Sequence, residues 1–472
     1  MRKYLFINGE WVEAKEYRPL YSPYNGEQIA EIAFADESEV DLAIQAAEKA
    51  KPIMAKMPAH QRATILENLV RLLEENAEEC VRLIALEAAK PWTTAKGEVA
   101  RTIMTYKFAA EEARRVHGET IPMDAAPGGE DRVAFTVREP LGVVAAITPF
   151  NFPMNLVAHK VGPAIAAGNT IVLKPATQTP LTSLYLAELL QRAGLPNGAL
   201  NVVTGSGGTV GERLIQDSRV KVITFTGSPA VGIGIRNKAG LKRVTLELGS
   251  NAALIVDKGV DIDTVIDRAV IGAFSFAGQV CISLQRVYVN EELYDSFVEK
   301  FVAKTKTLRL GNPLNLDTDV SALISPKDVE RSLEWIEEAK QSGATVATGG
   351  TREGNILTPT VLLNVDPKAK VSCQEVFAPI VLINKVSSVE EAIEYVNDSR
   401  YGLQAGIYTP NVATAFKAAE ALEVGGVMVN DIPTFRVDHM PYGGVKESGV
   451  GREGIKYAVE EMTEMKLICF KK

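Results

Sequence analysis

The chain has 472 residues, 46% hydrophobic and 23% charged, with a formal net charge of −8. That length exceeds one ordinary core, so two or more domains are expected, and the well-mixed acidic balance argues against a nucleic-acid partner or a polybasic membrane role. The four cysteines (Cys80, Cys281, Cys373 and Cys469) form no CxxC pair and histidines number only four, so no metal is expected and a reducing cytoplasm suits the thiols.

The N-terminal residues lack an apolar signal region, and no apolar run reaches the length of a membrane span. Tyr4 to Trp11 reads as two strands about an Asn8-Gly9 turn. From Ser38, a plausible cap, apolar residues recur at helical spacing through Val40, Ala43, Ile44 and Ala47. A long helical stretch runs from Ala59 to about Ala89, with Leu66, Leu69, Leu72 and Leu73 on one face, and a third spans Glu98 to His117. These helices are expected to pack outside a sheet formed later. Residues 115–138 read as a hairpin leaving the main body.

Five short apolar runs then alternate with helical segments: Val143 to Ile147, Thr170 to Leu173, Leu200 to Val203, Val220 to Phe225 and Val244 to Leu246. The helical segments are Pro153 to Ala167, Leu181 to Ala193, Val210 to Ile215 and Val231 to Lys238. This alternation predicts an α/β fold with a parallel, doubly wound sheet, which binds ligands at the carboxyl ends of its strands. After a boundary near Leu248 a second α/β unit begins. It has a helix from Ile262 to Gly278 leading into Cys281, and further strands near 253–256, 286–290, 361–363, 380–383, 405–408 and 427–429. Met465 to Phe470 is a lone apolar strand that needs a partner edge, in another subunit or in its own chain.

Chemistry concentrates at strand ends. Cys281 stands in Phe276-Ala-Gly-Gln-Val-Cys-Ile-Ser283, as either a buried small hydrophobe or an activated thiol. Glu247 ends a buried strand, as either a general base or a salt-bridged residue. Asn151, in Pro-Phe-Asn-Phe-Pro, is either an oxyanion donor or a turn residue capping the next helix. Lys174 follows a strand and either holds a ribose hydroxyl or phosphate or is solvated. Gly227-Ser228 opens a helix whose N–H groups can take a phosphate. The glycine loop from Gly205 to Gly211 misses the G-x-G-x-x-G spacing and is not assigned the pyrophosphate.

These motifs, in this order, resemble the NAD(P)-dependent aldehyde dehydrogenase superfamily over essentially the whole chain. The match includes PFNFP, LKPATQTPL, FTGSPAVG, LELGSNA, GQVC, QEVFAPI and PYGGVKESGVGREG, and several stretches look like the lactaldehyde dehydrogenase branch. The resemblance implies a Rossmann-like cofactor domain (1–117 and 139–248), a catalytic domain (249–445), and an oligomerisation flap and tail (118–138 and 446–472) of a homodimer or homotetramer. It implies Cys281 as nucleophile, Glu247 as base and Asn151 as oxyanion donor. Lys174 and Glu375 look like a ribose-binding pair, Ser228 and Gly227 a pyrophosphate contact, and Phe377 a nicotinamide-ribose contact. Phe150, Leu248 and Thr177 complete the cofactor set. Thr177 replaces the glutamate of many NAD-preferring members, so NAD and NADP are both admissible, and Ser250 and Ala378 replace usual glycines.

Arg101 and Arg436 match positions at which anion-handling relatives carry arginines, whereas Val280 and Phe152 replace an arginine and a tyrosine of those using glyceraldehyde 3-phosphate. The implied activity is non-acylating oxidation of a short hydroxyaldehyde such as lactaldehyde or glycolaldehyde, neutral or anionic, through a Cys281 thioester. Alternatives are glyceraldehyde 3-phosphate, a phosphono- or sulfo-aldehyde, or succinate semialdehyde. A cofactor-independent cysteine hydrolase pairing Cys281 with His159 is the other class of enzyme, and a catalytically silent binding protein on this fold is the third reading.

Overall fold

A computed structural model of the chain describes residues 2–472. Strands Val143–Ile147, Thr170–Lys174, Leu200–Val202, Val220–Thr226 and Arg243–Glu247 run parallel at the centre of the larger sheet. Nearly every residue in them is buried, as near-continuous Val, Ile, Ala and Leu runs require when helices cover both faces. Leu5–Ile7 and Glu10–Val12 extend one end antiparallel, joined by a tight turn with φ of 56° at Asn8 and 80° at Gly9. Gly449–Val450 closes the other end against Arg243–Glu247. Among the described residues that sheet has eight strands.

The expected helices do cover this sheet. Leu66, Leu69, Leu73, Ile84, Val99 and Tyr106 bury against Val144, Ile171, Leu173 and Leu200 in one core. Details differ from the sequence expectation. The first helix, Glu37–Lys56, is capped by Asp36 rather than Ser38: Asp36 accepts the Ser38 and Glu39 N–H groups, and Glu39 reaches back to the Asp36 N–H at 2.8 Å. The stretch from Ala59 to Ala89 breaks at Asn76 into Ala59–Glu75 and Ala77–Ala88, since the Asn76 side chain takes the Leu72 carbonyl at 2.7 Å. The segment expected as a helix from Val210 begins as a π-turn, Gly207–Gly211, capped by Ser206.

A second sheet has seven strands among the described residues, in the order Thr345–Thr348, Thr360–Leu363, Ile380–Val386, Arg286–Asn290, Ala253–Val256, Gln404–Tyr408 and Gly426–Val429. All pairings are parallel except that of Thr345–Thr348, which the sequence reading missed. Leu248–Ala252 crosses directly from the last parallel strand of one sheet to a central strand of the other.

Residues 120–121 and 132–140 form the expected hairpin, and its third strand is the chain's own tail. Thr463–Lys471 pairs antiparallel with Arg132–Pro140, from Thr463 opposite Pro140 to Lys471 opposite Arg132. The lone strand therefore finds its partner within the chain. Gly449–Val450 and the helix Ile455–Glu461 lie with the larger body, so the tail joins the flap only from Thr463.

Candidate active site

The helix expected to run to Gly278 stops at Phe274. Phe276 and Ala277 then adopt left-handed φ values of 48° and 51°, and Gly278 follows at 69°. Non-glycine residues rarely occupy that region, and surrounding structure must hold them there. A side chain at Gly278 would stand 2.2 Å from the Ala378 carbonyl oxygen, so only glycine lets the turn pass. The turn delivers Cys281 to a cavity of about 520 Å³, whose lining includes Asn151, Phe152, Arg101, Arg436, Val280 and Tyr442.

Burial, and after it the Glu375 and Glu247 carboxylates, push the Cys281 thiol up to about 12; Arg436 and the Asn151 amide pull the other way. Asn151 is buried, and its Nδ2 donates to the Gln279 carbonyl at 3.0 Å, leaving one N–H on that nitrogen. The Cys281 backbone N–H has no hydrogen-bond partner among the described residues. Two donors therefore border the thiol, the arrangement an oxyanion needs.

Glu247 ends its strand 2% exposed, and neither carboxyl oxygen has a partner among the described residues. Burial and then Glu453 raise its pKa well above the usual range, against the cations Arg436, Lys160 and Arg452. A carboxyl that is free of partners and reluctant to ionise suits proton abstraction near neutral pH. Gly443 passes close beside it: a Cβ there would lie 3.0 Å from Glu247 Oε1.

Behind it is an ionic cluster in which Arg101, Arg436 and His159 meet Lys160, Glu453 and Asp438, three residues that the sequence did not single out. Lys160 donates to Thr226 Oγ1 at 2.7 Å and to Glu453 Oε1 at 2.8 Å. Burial opposes charge on Glu453, but Lys160 and Arg436 outweigh it and hold its carboxyl at about 2. Arg436 donates to Glu453 Oε2 at 3.0 Å and stacks 3.6 Å above the Tyr442 ring. Arg101 grips Asp438 with Nε at 3.2 Å and Nη2 at 2.7 Å. Asp438 also accepts from Asn155 and from His159 Nε2 at 2.9 Å. Burial opposes its charge, yet the His159 hydrogen bond and Arg101 keep its carboxyl well below the carboxylate range.

Burial and then Arg436 hold His159 below its ordinary pKa. Its Nε2 lies between the Asp438 carboxylate, which can only accept, and Arg436 Nη2 at 3.3 Å, which can only donate. No hydrogen bond joins His159 to Cys281 among the described residues, and His159 does not line the cavity, so the hydrolase pairing is not assembled.

The expected cofactor residues lie along the strand ends. Lys174 is buried; its ammonium donates only to the Pro175 carbonyl among the described residues, and burial lowers it to about 8. Thr177 is exposed and donates to the Gly205 carbonyl at 3.3 Å. Gly227 precedes Ser228, whose hydroxyl caps nothing at the start of the Pro229–Lys238 helix, leaving its first N–H groups open to an anion. Leu248 fills the space beside Gly232, where a Cβ would come within 2.4 Å of it. Phe150 and Phe377 meet edge to face at 5.8 Å. Glu375 accepts the Ser250 N–H at 3.0 Å, and burial raises it to about 7. No hydrogen bond or ion pair joins Lys174 to Glu375 among the described residues, so they are two separate contacts rather than one pair. Open helix N–H groups, a buried cation without a counter-ion and an aromatic wall fit a dinucleotide phosphate and sugar chain.

The sequence pattern of the aldehyde dehydrogenase family matches residues 11–468. The chain is 48% identical to 3-sulfolactaldehyde dehydrogenase of Priestia aryabhattai, over 98% of this chain and 97% of the relative. It is 42% identical to lactaldehyde dehydrogenase of Methanocaldococcus jannaschii, over 99% and 100%. NADP-dependent glyceraldehyde-3-phosphate dehydrogenase from Bacillus halodurans C-125, solved with NADP, superposes with a TM-score of 0.97 at 39% identity, covering 100% of this chain and 99% of that one.

Proposed function

Because the chain belongs to the aldehyde dehydrogenase family, we propose that it oxidises a short 2-hydroxyaldehyde with one negative charge, of the 3-sulfolactaldehyde kind, to the acid, using NAD or NADP. The observation that carries this reading is the shared cavity: Cys281, Asn151, Arg101 and Arg436 line a single space of about 520 Å³. Asp438 and Glu453 already compensate part of the charge on the two guanidinium groups, which suits a monoanion better than a phosphate dianion. Val280 and Phe152 offer neither a third cation nor a hydroxyl to a phosphate. A neutral lactaldehyde is the second reading, favoured by the two-point grip of Asp438 on Arg101.

On this reading the Cys281 thiolate attacks the aldehyde carbon, forming the S–C bond. The negative charge on the oxygen is met by the Asn151 amide and the Cys281 N–H. NAD or NADP, when bound, would supply the acceptor for the hydride that leaves that carbon. The acyl group left on sulfur is a thioester; Glu247 takes a proton from water as the water oxygen attacks it, and the acid departs as the C–S bond breaks. Each oxyanion donor is worth about 3 kcal/mol of barrier. Ser228, Gly227 and the helix start would hold the pyrophosphate, Lys174 and Thr177 one ribose, and Glu375 and Phe377 the other. Phe150 and Leu248 wall the groove.

Residues 1–117 and 139–248 serve as cofactor domain and 249–445 as catalytic domain, with the flap at 118–138 and 463–472. The open outer edge of Thr463–Lys471, with Met465, Leu467 and Phe470 about half exposed, supports a homodimer or homotetramer. No helix among the described residues is long and apolar enough to cross a membrane.

The test is reduced-cofactor formation with 3-sulfolactaldehyde, lactaldehyde, glycolaldehyde, glyceraldehyde 3-phosphate and succinate semialdehyde, each with NAD and NADP. The sulfonated aldehyde is expected to give the highest kcat/KM, and Cys281→Ala none. Preference for an uncharged aldehyde would overturn the anionic assignment, and activity in Cys281→Ala the mechanism.

A further inference from the structure

We propose that Lys90 is a positioning residue for the oxyanion donor: its buried ammonium sets where the Asn151 amide stands relative to the Cys281 turn. The inference rests on the reading of Asn151 as that donor.

Lys90 is 0% exposed, between the Ala77–Ala88 and Trp92–Ala113 helices. A lysine with no water must spend its N–H groups and its charge on protein. Its Nζ donates to the Glu98 carboxylate, also fully buried, and to the Asn151 main-chain carbonyl at 2.6 Å. The same nitrogen lies 3.7 Å from the centre of the Phe152 ring and 4.4 Å from that of Phe276. Phe152 follows Asn151, and Phe276 is the left-handed residue that opens the nucleophile turn. One cation therefore touches both walls of the oxyanion site.

Glu98 extends the hold. Its other oxygen accepts the N–H groups of Met154 at 2.9 Å and Asn155 at 3.1 Å, fixing the start of the next helix, Asn155–Ala167, four residues beyond Asn151. Asn151 needs an external hold, because its Oδ1 is buried without a partner among the described residues. Among the described residues Asn151 is held by two hydrogen bonds, one from its Nδ2 to the Gln279 carbonyl and one from Lys90 to its main-chain carbonyl. Remove the second and the donor can swing about the first.

A merely structural role is separable. Replacing a buried ion pair by apolar or neutral groups of similar volume is often harmless to stability. Lys90→Met and the double variant Lys90→Met/Glu98→Gln are measured with saturating cofactor and 3-sulfolactaldehyde, alone and in the Asn151→Ala background. Asn151→Ala itself is expected to lose about 10²–10³ in kcat. Lys90→Met is expected to lose about tenfold to a hundredfold in kcat, less than the donor it acts through, with KM nearly unchanged. In the Asn151→Ala background the same change should cost nothing further, because the group it positions is gone.

Losses that multiply in that background, or a Lys90→Met enzyme with wild-type kcat, would overturn the inference and leave Asn151 as the donor. An Asn151→Ala enzyme with near-normal kcat would instead sink the reading beneath it. If neither Lys90 variant folds, the pair holds the fold rather than the oxyanion site, and the inference also falls.

Discussion

The Cys281 thiol offers a direct measurement, because only the thiolate reacts with iodoacetamide. Its burial among carboxylates moves it from the ordinary 9.0 to about 12 in the free protein. At pH 8 about one Cys281 in ten thousand is then ionised, against about one in ten for a free thiol, so alkylation should run about a thousandfold slower. The rate should climb tenfold per pH unit from pH 7 to at least 10 without levelling. Peptide mass spectrometry separates Cys281 from exposed Cys373 and Cys469, with N-acetylcysteine as the reference thiol. Glu375→Gln removes the largest carboxylate contribution and should speed Cys281 alkylation at every pH above 8. A plateau below about pH 9 would refute the electrostatic picture, and an unchanged rate in Glu375→Gln would remove Glu375 from it.

Three further outcomes are expected. Glu247→Gln should keep a first-turnover burst of reduced cofactor and lose steady turnover by at least about a hundredfold, because only the water step needs the base; in the parent enzyme that step should quicken with rising pH until the raised Glu247 pKa is passed, as stopped-flow at several pH values would show. Arg101→Gln should raise KM for the sulfonated aldehyde by about tenfold and for lactaldehyde by less than about twofold, read from paired saturation curves. Asp438 is more acidic folded than unfolded, so its stabilisation is present above the ordinary carboxylate pKa and fades as pH falls below it; Asp438→Asn should lower Tm at pH 7 and flatten its dependence between pH 3 and 5 in calorimetry.

The candidate reacting residues were legible because motifs with local geometry carry them. A glycine before the cysteine, a carboxylate at a strand end and an asparagine between prolines each need a particular backbone, and that need is written nearby. The partners were not. Lys90, Lys160, Glu98 and Glu453 look in sequence like the solvated positions of helices and loops, and Asp438 like part of a turn; only packing makes them buried. The one local hint for Lys90 is its place between Ala88-Ala89 and Pro91-Trp92, with little polar company. Arg101 and Arg436, which line the cavity, were named from the sequence, but the carboxylates that share their charge lie 337 and 17 residues away and carry no spacing rule. The parallel sheet was readable from its regular alternation. The break at Asn76 and the left-handed pair Phe276-Ala277 were not, because neither position holds the glycine that would mark it.

The edge strand Gly449–Val450 completes the sheet beside Glu247, and Thr463–Lys471 pairs with residues made more than three hundred positions earlier. Both contacts have very high sequence separation, the kind that forms slowly and late. During synthesis the parallel strands and their helices can assemble while the strand bearing Glu247 still has a bare flank and the flap hairpin lacks its third member. Until Thr463–Lys471 has left the ribosome, the nascent chain exposes two unpaired strand edges that favour aggregation.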